Sequence, residues 1–492
     1  MTVRTLVRRG LLAAVLLAVA GTAALVVAID RAGPAPRTLA PYILKRSSGH
    51  NPLIEGTGRR VAAALLALDR GTDDAPPPAL SLTAGAQPQP AGSSAEAGGA
   101  IGVATPDALR AALRAAAPGD VITLAPGTYR FEGKGIDVAR PGRAGAPIVV
   151  RAAQPGTVHI ELATLEGFVV GAPYWRFENL DIAGVCPSDD DCEHAFHVIG
   201  AGHHFASVNN TISDFNAHIK INAAGGLYPD DGLVAHTTLR ATHPRATTLP
   251  VTPIDVVTAS GWTFSANLIT DFVKRDGNGV SYGAFVKGGG KNNVFERNVV
   301  WCEQTLRGYP GQRIGLSLGG GGTGREFCRD GRCITEQEGG VLRANLIAGC
   351  SDAGIYLNSA AASTVVDNTL VDTTGIDVRF ATSSARIDGN LVDGPIRGRD
   401  GAILHLGDNR SSAMWRAYAG SHPVRDLFRA PRAGDFTWRD GAPLRTETDD
   451  VARPAQALDL CGRPRAVPAV YGAFADFGAC AAPGGAVQEA VK

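Results

Sequence analysis

The sequence has no charge of either sign to spare. Its 492 residues hold 47 Lys and Arg against 47 Asp and Glu, so no strong field points to nucleic acid or an anionic surface as partner. It also has neither a CxxC pair nor a histidine spacing suited to a zinc module. Disulfides are therefore the reading of its eight cysteines, and they imply an oxidising compartment. Cys186 with Cys192, Cys328 with Cys333 and Cys461 with Cys480 are close pairs, which leaves Cys302 and Cys350 as a fourth; proximity alone supports this pairing. Disorder is excluded by 45% hydrophobic and 19% charged residues.

At the N-terminus, Arg4, Arg8 and Arg9 precede an uncharged apolar run from Leu11 to Ile29. This is the pattern of an export signal or a signal anchor. The run approaches the roughly 20 residues that span a bilayer, which favours an uncleaved membrane anchor over a signal cut at the small residues before Gly21. The expected layout is an anchor or signal over 1–30, then a Pro/Ala/Gly-rich linker over 31–100. That linker holds one short helix, Arg59 to Arg70. A folded body over 101–435 and a C-terminal cap over 436–492 complete the chain, which is expected to act outside the cytoplasm as a monomer.

The body opens with TPDALRAALRAAAPGD, an amphipathic helix over 105–117 with Thr105 as N-cap and Pro106 in the first turn. Beyond it one element recurs. Asparagine stands at a fixed place in ENLDIAG (Asn179), NNTISDF (Asn210), ANLITDF (Asn267), RNVVWCE (Asn298), ANLIAGC (Asn345), DNTLVDT (Asn368) and GNLVDGP (Asn390), with Thr238 standing in for one missing member. A second strand recurs about a dozen residues earlier: FHVIG, IDVVT, AFVKG, GIYLN and GIDVR. Repeats of this length that cannot bury their own apolar face must stack. The expected fold is all-β, a right-handed single-stranded parallel β-helix whose first coil is capped by the helix over 105–117.

Alternation along the strands then sets which side chains face outward. The outward column reads His197, His218, Lys220, Asn222, Asp255, Phe285, Lys287, Ser317, Tyr356, Asn358, Asp377 and Arg379. A ribbon of cationic, amide and aromatic groups suits an acidic polysaccharide. Gly288–Gly290 after Lys287 and Gly319–Gly322 one coil later either serve turn geometry or clear room for a ligand.

The segment Asn278-Gly279-x-Ser281, with Lys287 nine residues after the asparagine, resembles polysaccharide lyases of the chondroitinase B and alginate lyase type. GRAGAPIVVRAA (142–153) is similar to an early coil of that family. The resemblance implies a β-helix of about residues 105–410 with Lys287 as catalytic base. It departs at two points. Val280 and Tyr282 replace the family's calcium-binding glutamates, and Leu318-Gly319-Gly320-Gly321 replaces its Leu-Arg-His-Gly, so the proton-donating arginine is missing. No metal ligand is assigned and no cofactor is certain, calcium being the one candidate.

For β-elimination, Lys287 is the candidate base, Lys220 the candidate neutraliser of the substrate carboxylate, Tyr356 or His218 the proton donor, and Arg313 an alternative neutraliser. His197, Asn222, Asp255, Ser317, Asn358 and Arg379 are candidate substrate-binding residues. A hydrolase would need two carboxylates on the ribbon, such as Asp255 with Asp377, or with Asp230 and Asp231. An epimerase would share the proton abstraction. A non-catalytic glycan-binding or structural β-helix would show the same ribbon. Two cysteine-closed loops could shape a groove, CPSDDDCEH (186–194) as an acidic surface loop or calcium site, and TGREFCRDGRCITEQEGG (323–340) as a rim carrying Glu336 and Glu338.

Overall fold

Each coil is made of three short strands and one sharp bend. A representative turn of the solenoid runs Trp175–Glu178, Asp181–Gly184, His194–Ile199 and then Ala206–Val208, which pairs in parallel with the strand that began it. Repetition gives three parallel sheets of 12, 10 and 11 strands. This is the expected parallel β-helix, seen in a computed structural model that describes residues 3–71, 76–77, 80, 82–91, 99–320, 322–447, 457–465 and 469–481.

The bend follows a two-residue rule. A residue in the left-handed region (Asn209, Ala266, Arg297, Ala344, Asp367, each with φ between 52° and 57°) precedes a buried asparagine. The asparagines then bond along the helix. The Asn298 backbone N–H and its Nδ2 both donate to Asn345 Oδ1 at 2.9 Å, and Nδ2 also donates to the Phe264 carbonyl at 2.9 Å. The same pattern links Asn345 to Asn368, Asn368 to Asn390 and Asn390 to Asn409. Two members differ from the sequence reading by one position. The missing coil is filled by Thr237, not Thr238, its N–H donating to Asn267 Oδ1. At the first coil Leu180, not Asn179, occupies the ladder site, its N–H donating to Asn210 Oδ1. Asn179 is the left-handed residue before it.

Inside, apolar side chains stack coil on coil, with Phe168 on Phe196 and Phe264 on Phe295 at ring separations of 5.4 and 4.6 Å. The helix Pro106–Ala115 closes this core at its first coil. Thr105 accepts from the Ala108 N–H, and Leu109, Ala112 and Leu113 are buried.

Residues 82–91, expected as part of a tether, lie along the outside of the helix. The Gln87 and Ala91 N–H groups donate to the side-chain oxygens of Asn209 and Asn179, polar groups that the bends leave facing out. The expected tether residues 92–98 lie outside the described residues. The C-terminal part covers a flank. Val424, Phe428, Phe436, Trp438, Phe474 and Phe477 pack on Val299, Trp301, Leu346 and Val371, the outward residues of the sheet that follows the asparagine bend. The four cysteine pairs are Cys186–Cys192, Cys302–Cys350, Cys328–Cys333 and Cys461–Cys480.

Residues 3–71 and 412–423 form a separate helical unit. Its helices are Val3–Ala32, Pro36–Ser47, Pro52–Arg70 and Met414–Tyr418. The helix expected at 59–70 begins seven residues earlier, because Asn51 caps it and Pro52 occupies its first turn, which outweighs the glycines at 56 and 58. Arg37 and Asp69 form a buried ion pair inside this unit. Among the described residues no helix is long and apolar enough to cross a membrane, so the expected anchor receives no support here.

Candidate functional site

The strand Val280–Lys287 lies in the ten-stranded sheet, between Ile254–Val257 and Gln312–Leu318. In register, Lys287 follows Val257, which follows Asn222, and Phe285 follows Asp255, which follows Lys220. Lys220 and Lys287 are thus two coils apart in neighbouring outward columns, with strands spaced about 4.8 Å. Both line one cleft of about 630 Å³, together with Asn222, Tyr228, Glu326 and Phe327.

The two lysines are held differently. Lys220 Nζ is 2.9 Å from the buried carboxylate of Asp255. Lys287 Nζ sits 4.5 Å from the centre of the Phe285 ring, a cation–π contact, and among the described residues no carboxylate comes within ion-pairing distance of it. Gly320 makes room for this pose, since a Cβ there would stand 2.8 Å from Lys287 Cδ. The three glycines after the lysine have an architectural cause. Gly288 and Gly289 are left-handed (φ 76° and 81°), and a Cβ on Gly290 would strike the Ala259 carbonyl.

Behind the cleft, His197 braces Asn222. Its Nε2 is 2.7 Å from Asn222 Oδ1 and its Nδ1 is 2.6 Å from Glu166, while Asn222 Nδ2 donates to the Ala223 carbonyl. His194 lies against His197; burial, aided by the charges of His197 and Lys220, lowers its pKa to about 3, so it stays neutral.

The cleft is walled by two loops. Ala223–Tyr228 forms one wall and Gly322–Cys328, braced by Cys328–Cys333, forms the other. Arg329 ties them. Its guanidinium grips Asp230 through two bonds of 2.8 Å, stacks 4.1 Å from the Tyr228 ring, and donates to Ser260 Oγ at 2.9 Å.

Other sequence candidates lie elsewhere. His218 is buried at the corner, donating from Nε2 to the Arg240 carbonyl, and burial lowers its pKa to about 4. Arg313 is also buried; its Nε donates to Glu303 at 2.6 Å and its other nitrogens to the Tyr309 and Pro310 carbonyls, so it pins the 303–310 loop. Neither side chain reaches the cleft. Alternation failed for both because each lies where a strand meets a corner. Ser317 turns its hydroxyl to the Gly319 carbonyl at 2.6 Å.

Tyr356 lies in the next-but-one coil from Phe285 and packs with Ile314 and Ala353, outside the cleft lining. Burial raises its pKa, and its hydroxyl is engaged by Asn358 and Arg379. Arg379 pairs with Asp400 at 2.6 Å, and Asp377 with Arg399. The residues that the sequence reading missed are Arg329, Tyr228 and Phe327. Loop cysteines were the only signal for Arg329 and Phe327, and none marked Tyr228, because nothing in a linear pattern tells which loop leans over which strand.

Calcium needs six to eight oxygen ligands, several of them carboxylate. Of the carboxylates at the cleft, Glu326 lines it alone and Asp255 is spent on Lys220, so this donor set does not fit a calcium ion. In the 186–194 loop, Asp189 pairs with Arg245 at 2.8 Å and accepts from the Ala246 N–H, while Asp190 bonds Thr247. These carboxylates fasten the loop to residues 245–247. Glu336 is buried, accepting from the Thr323 hydroxyl at 2.7 Å, and Glu338 pairs with Lys291.

No family model matches the chain. A stretch of 106 residues is 34% identical to pectate lyase L of Dickeya chrysanthemi, covering 19% of this chain and 24% of that protein. The chain therefore spans about a quarter of the curated relative's length. Among solved structures it is similar to pectate lyase Pel9A, with a TM-score of 0.50 at 17% identity over 78% of this chain and 98% of that one. The fold is the parallel β-helix of a pectate lyase. A rhamnogalacturonan lyase is a looser likeness, with a TM-score of 0.43 at 13% identity over 64% of this chain and 87% of that one.

Proposed function

We propose that this β-helix is an exported lyase that cleaves a uronic-acid polysaccharide by β-elimination, acting as a monomer. One observation carries the reading: Lys287, free of any carboxylate partner among the described residues, shares a cleft with a second lysine, Lys220. The fold and the short stretch related to a pectate lyase support it. The disulfides support export, which the basic and then apolar N-terminal segment would direct.

In the reaction, Lys287, after giving up its own proton to solvent, takes the proton on the carbon next to the substrate carboxylate. The electron pair left behind forms the carbon–carbon double bond as the glycosidic oxygen departs, and that oxygen takes a proton from water or from the lysine now charged. Lys220 offsets the charge that builds on the carboxylate, while Asn222 offers its amide to a ring hydroxyl. Hydrolysis is less well served. Asp255 and Asp377 are four coils apart in register, on the order of 19 Å, against the roughly 5–10 Å that paired glycosidase carboxylates need. Asp230 is committed to Arg329.

The test is to incubate the full chain with pectate and with alginate and follow unsaturated products. Unsaturated ends that disappear in Lys287→Ala support the reading. Saturated fragments, sugars inverted without cleavage, or an undiminished rate in Lys287→Ala would reject it.

A further inference from the structure

The cleft's walls stand across the path that a long polymer would take. A chain lying along the outward face would run parallel to the helix axis, from coil to coil. The wall at Ala223–Tyr228 rises after the strand Ala217–Asn222, and the wall at Gly322–Cys328 rises after Gln312–Leu318. Between them lie only the low turns after Ile254–Val257 and Val280–Lys287. On the turn side, Arg329 bridges the two loops through Asp230 and Tyr228. It is seated on those turns, its backbone N–H bonded to the Gly288 carbonyl at 2.9 Å and its guanidinium to Ser260.

The cleft between the loops measures about 630 Å³, within the roughly 300–1,000 Å³ of a pocket for a small ligand. That is room for a few sugar rings. The surfaces facing this space suit a sugar. Added Cβ atoms on Gly225, Gly226 and Gly322 would meet nothing within 4 Å, and Phe327 presents a ring that is 62% exposed at the rim, where a pyranose face can stack.

We propose that the site admits a terminus of the uronic-acid chain and acts from that end, with Arg329 as the positioning residue that closes the cleft. This rests on the lyase reading for its chemistry, while the end-binding geometry stands on the walls alone. Each productive event takes the last sugars of a chain and leaves the rest nearly full length. A polymer therefore carries one binding place per chain, whatever its length.

Two measurements on the full chain test it. The first is binding of Lys287→Ala to short and long size fractions of pectate and of alginate, by calorimetry. The expected result is a stoichiometry of one protein per chain in both fractions. Bound copies rising in proportion to chain length, or no binding to any fraction, would overturn the inference. The second is the product pattern of the wild-type protein. Small unsaturated products should accumulate while the mean polymer length barely falls, and an early collapse of polymer length would overturn the inference yet leave the lyase reading standing. One-per-chain binding without unsaturated products would do the reverse. Arg329→Ala, with thermal unfolding checked first, should raise the number of copies bound to the long fraction several-fold. Arg329→Lys should restore it in part. An unchanged stoichiometry in a folded Arg329→Ala protein would remove Arg329 from the role.

Discussion

Two stretches of the same outward face carry similar residues and do different things. Around Lys220 and Lys287 the face is hollow, walled by loops, and one cation lies on an aromatic ring with no carboxylate of the described residues within ion-pairing distance. Two to four coils further on, Tyr356, Asp377, Arg379 and Arg399 are drawn from the same chemical palette, yet each cation there has its own carboxylate. Residue type alone does not distinguish these stretches. Spare charge and empty space do, and both are set by loops and neighbouring coils.

The sharpest way to break the comparison is to remove one cation from each stretch. Lys287→Ala should lower the rate of product formation by roughly 10²–10⁴-fold, the usual worth of a general base, and Arg379→Ala should leave it within about twofold. Equal losses in the two variants, measured as kcat/KM, would erase the distinction. Lys220→Ala should cost about 10–100-fold in kcat/KM, as loss of one charged hydrogen bond to the substrate. It should also lower Tm, because Asp255 keeps a buried charge without its partner. Adding Asp255→Asn should recover the Tm and not the rate.

The smallest expected effects lie in pH and run in opposite directions. His194, beside the cleft, is lowered to about 3 by burial first and the nearby charges of His197 and Lys220 second. The unfolded chain therefore binds the proton that the folded one refuses, and stability falls as pH drops below about 6.5. Asp352, in the second stretch, is raised to about 6 by burial foremost, with Asp377 adding to it. Here the folded state holds the extra proton, so this contribution is complete below about 4 and is lost as pH rises through 6. The Tm of His194→Gln should fall less than wild type between pH 7 and 4. The Tm advantage of Asp352→Asn over wild type should grow between pH 4 and 6 and then level off.

The solenoid was legible because its signal repeats. One asparagine at a bend means little, but six at matching places identify a stack, and the close cysteine pairs agree with the pairing seen. The errors of one residue at Asn179 and Thr238 came from matching letters. ENL and NNT look alike if their asparagines are aligned, whereas the strands pair Asp181 with Thr211 and so set Leu180 opposite Asn210. At the site, period-two alternation placed Lys220, Asn222 and Lys287 on one face, and the cleft brings them together. It could not exclude His218 or Arg313, because each stands at the start of its strand, just past a corner, where alternation is not yet established. Nor could it find Arg329, whose role exists only once two loops far apart in sequence meet above the Gly288 turn.

The asparagine row has a consequence for how such a protein can change. Every carboxamide from Asn267 through Asn298, Asn345 and Asn368 to Asn390 donates in the same sense to the next coil, with Asn409 as the last acceptor, so the row is a chain of aligned dipoles, each polarising its neighbour. That makes one corner an index mark that locks the pitch of the stack. The other turns are then released from keeping register. A loop of almost any length can be spliced in after a strand of the ten-stranded sheet without shifting a single pairing, as the 47-residue interval between Asn298 and Asn345 shows. Substrate range in a scaffold of this kind is thus free to vary by exchange of walls, while the floor stays where the amides hold it.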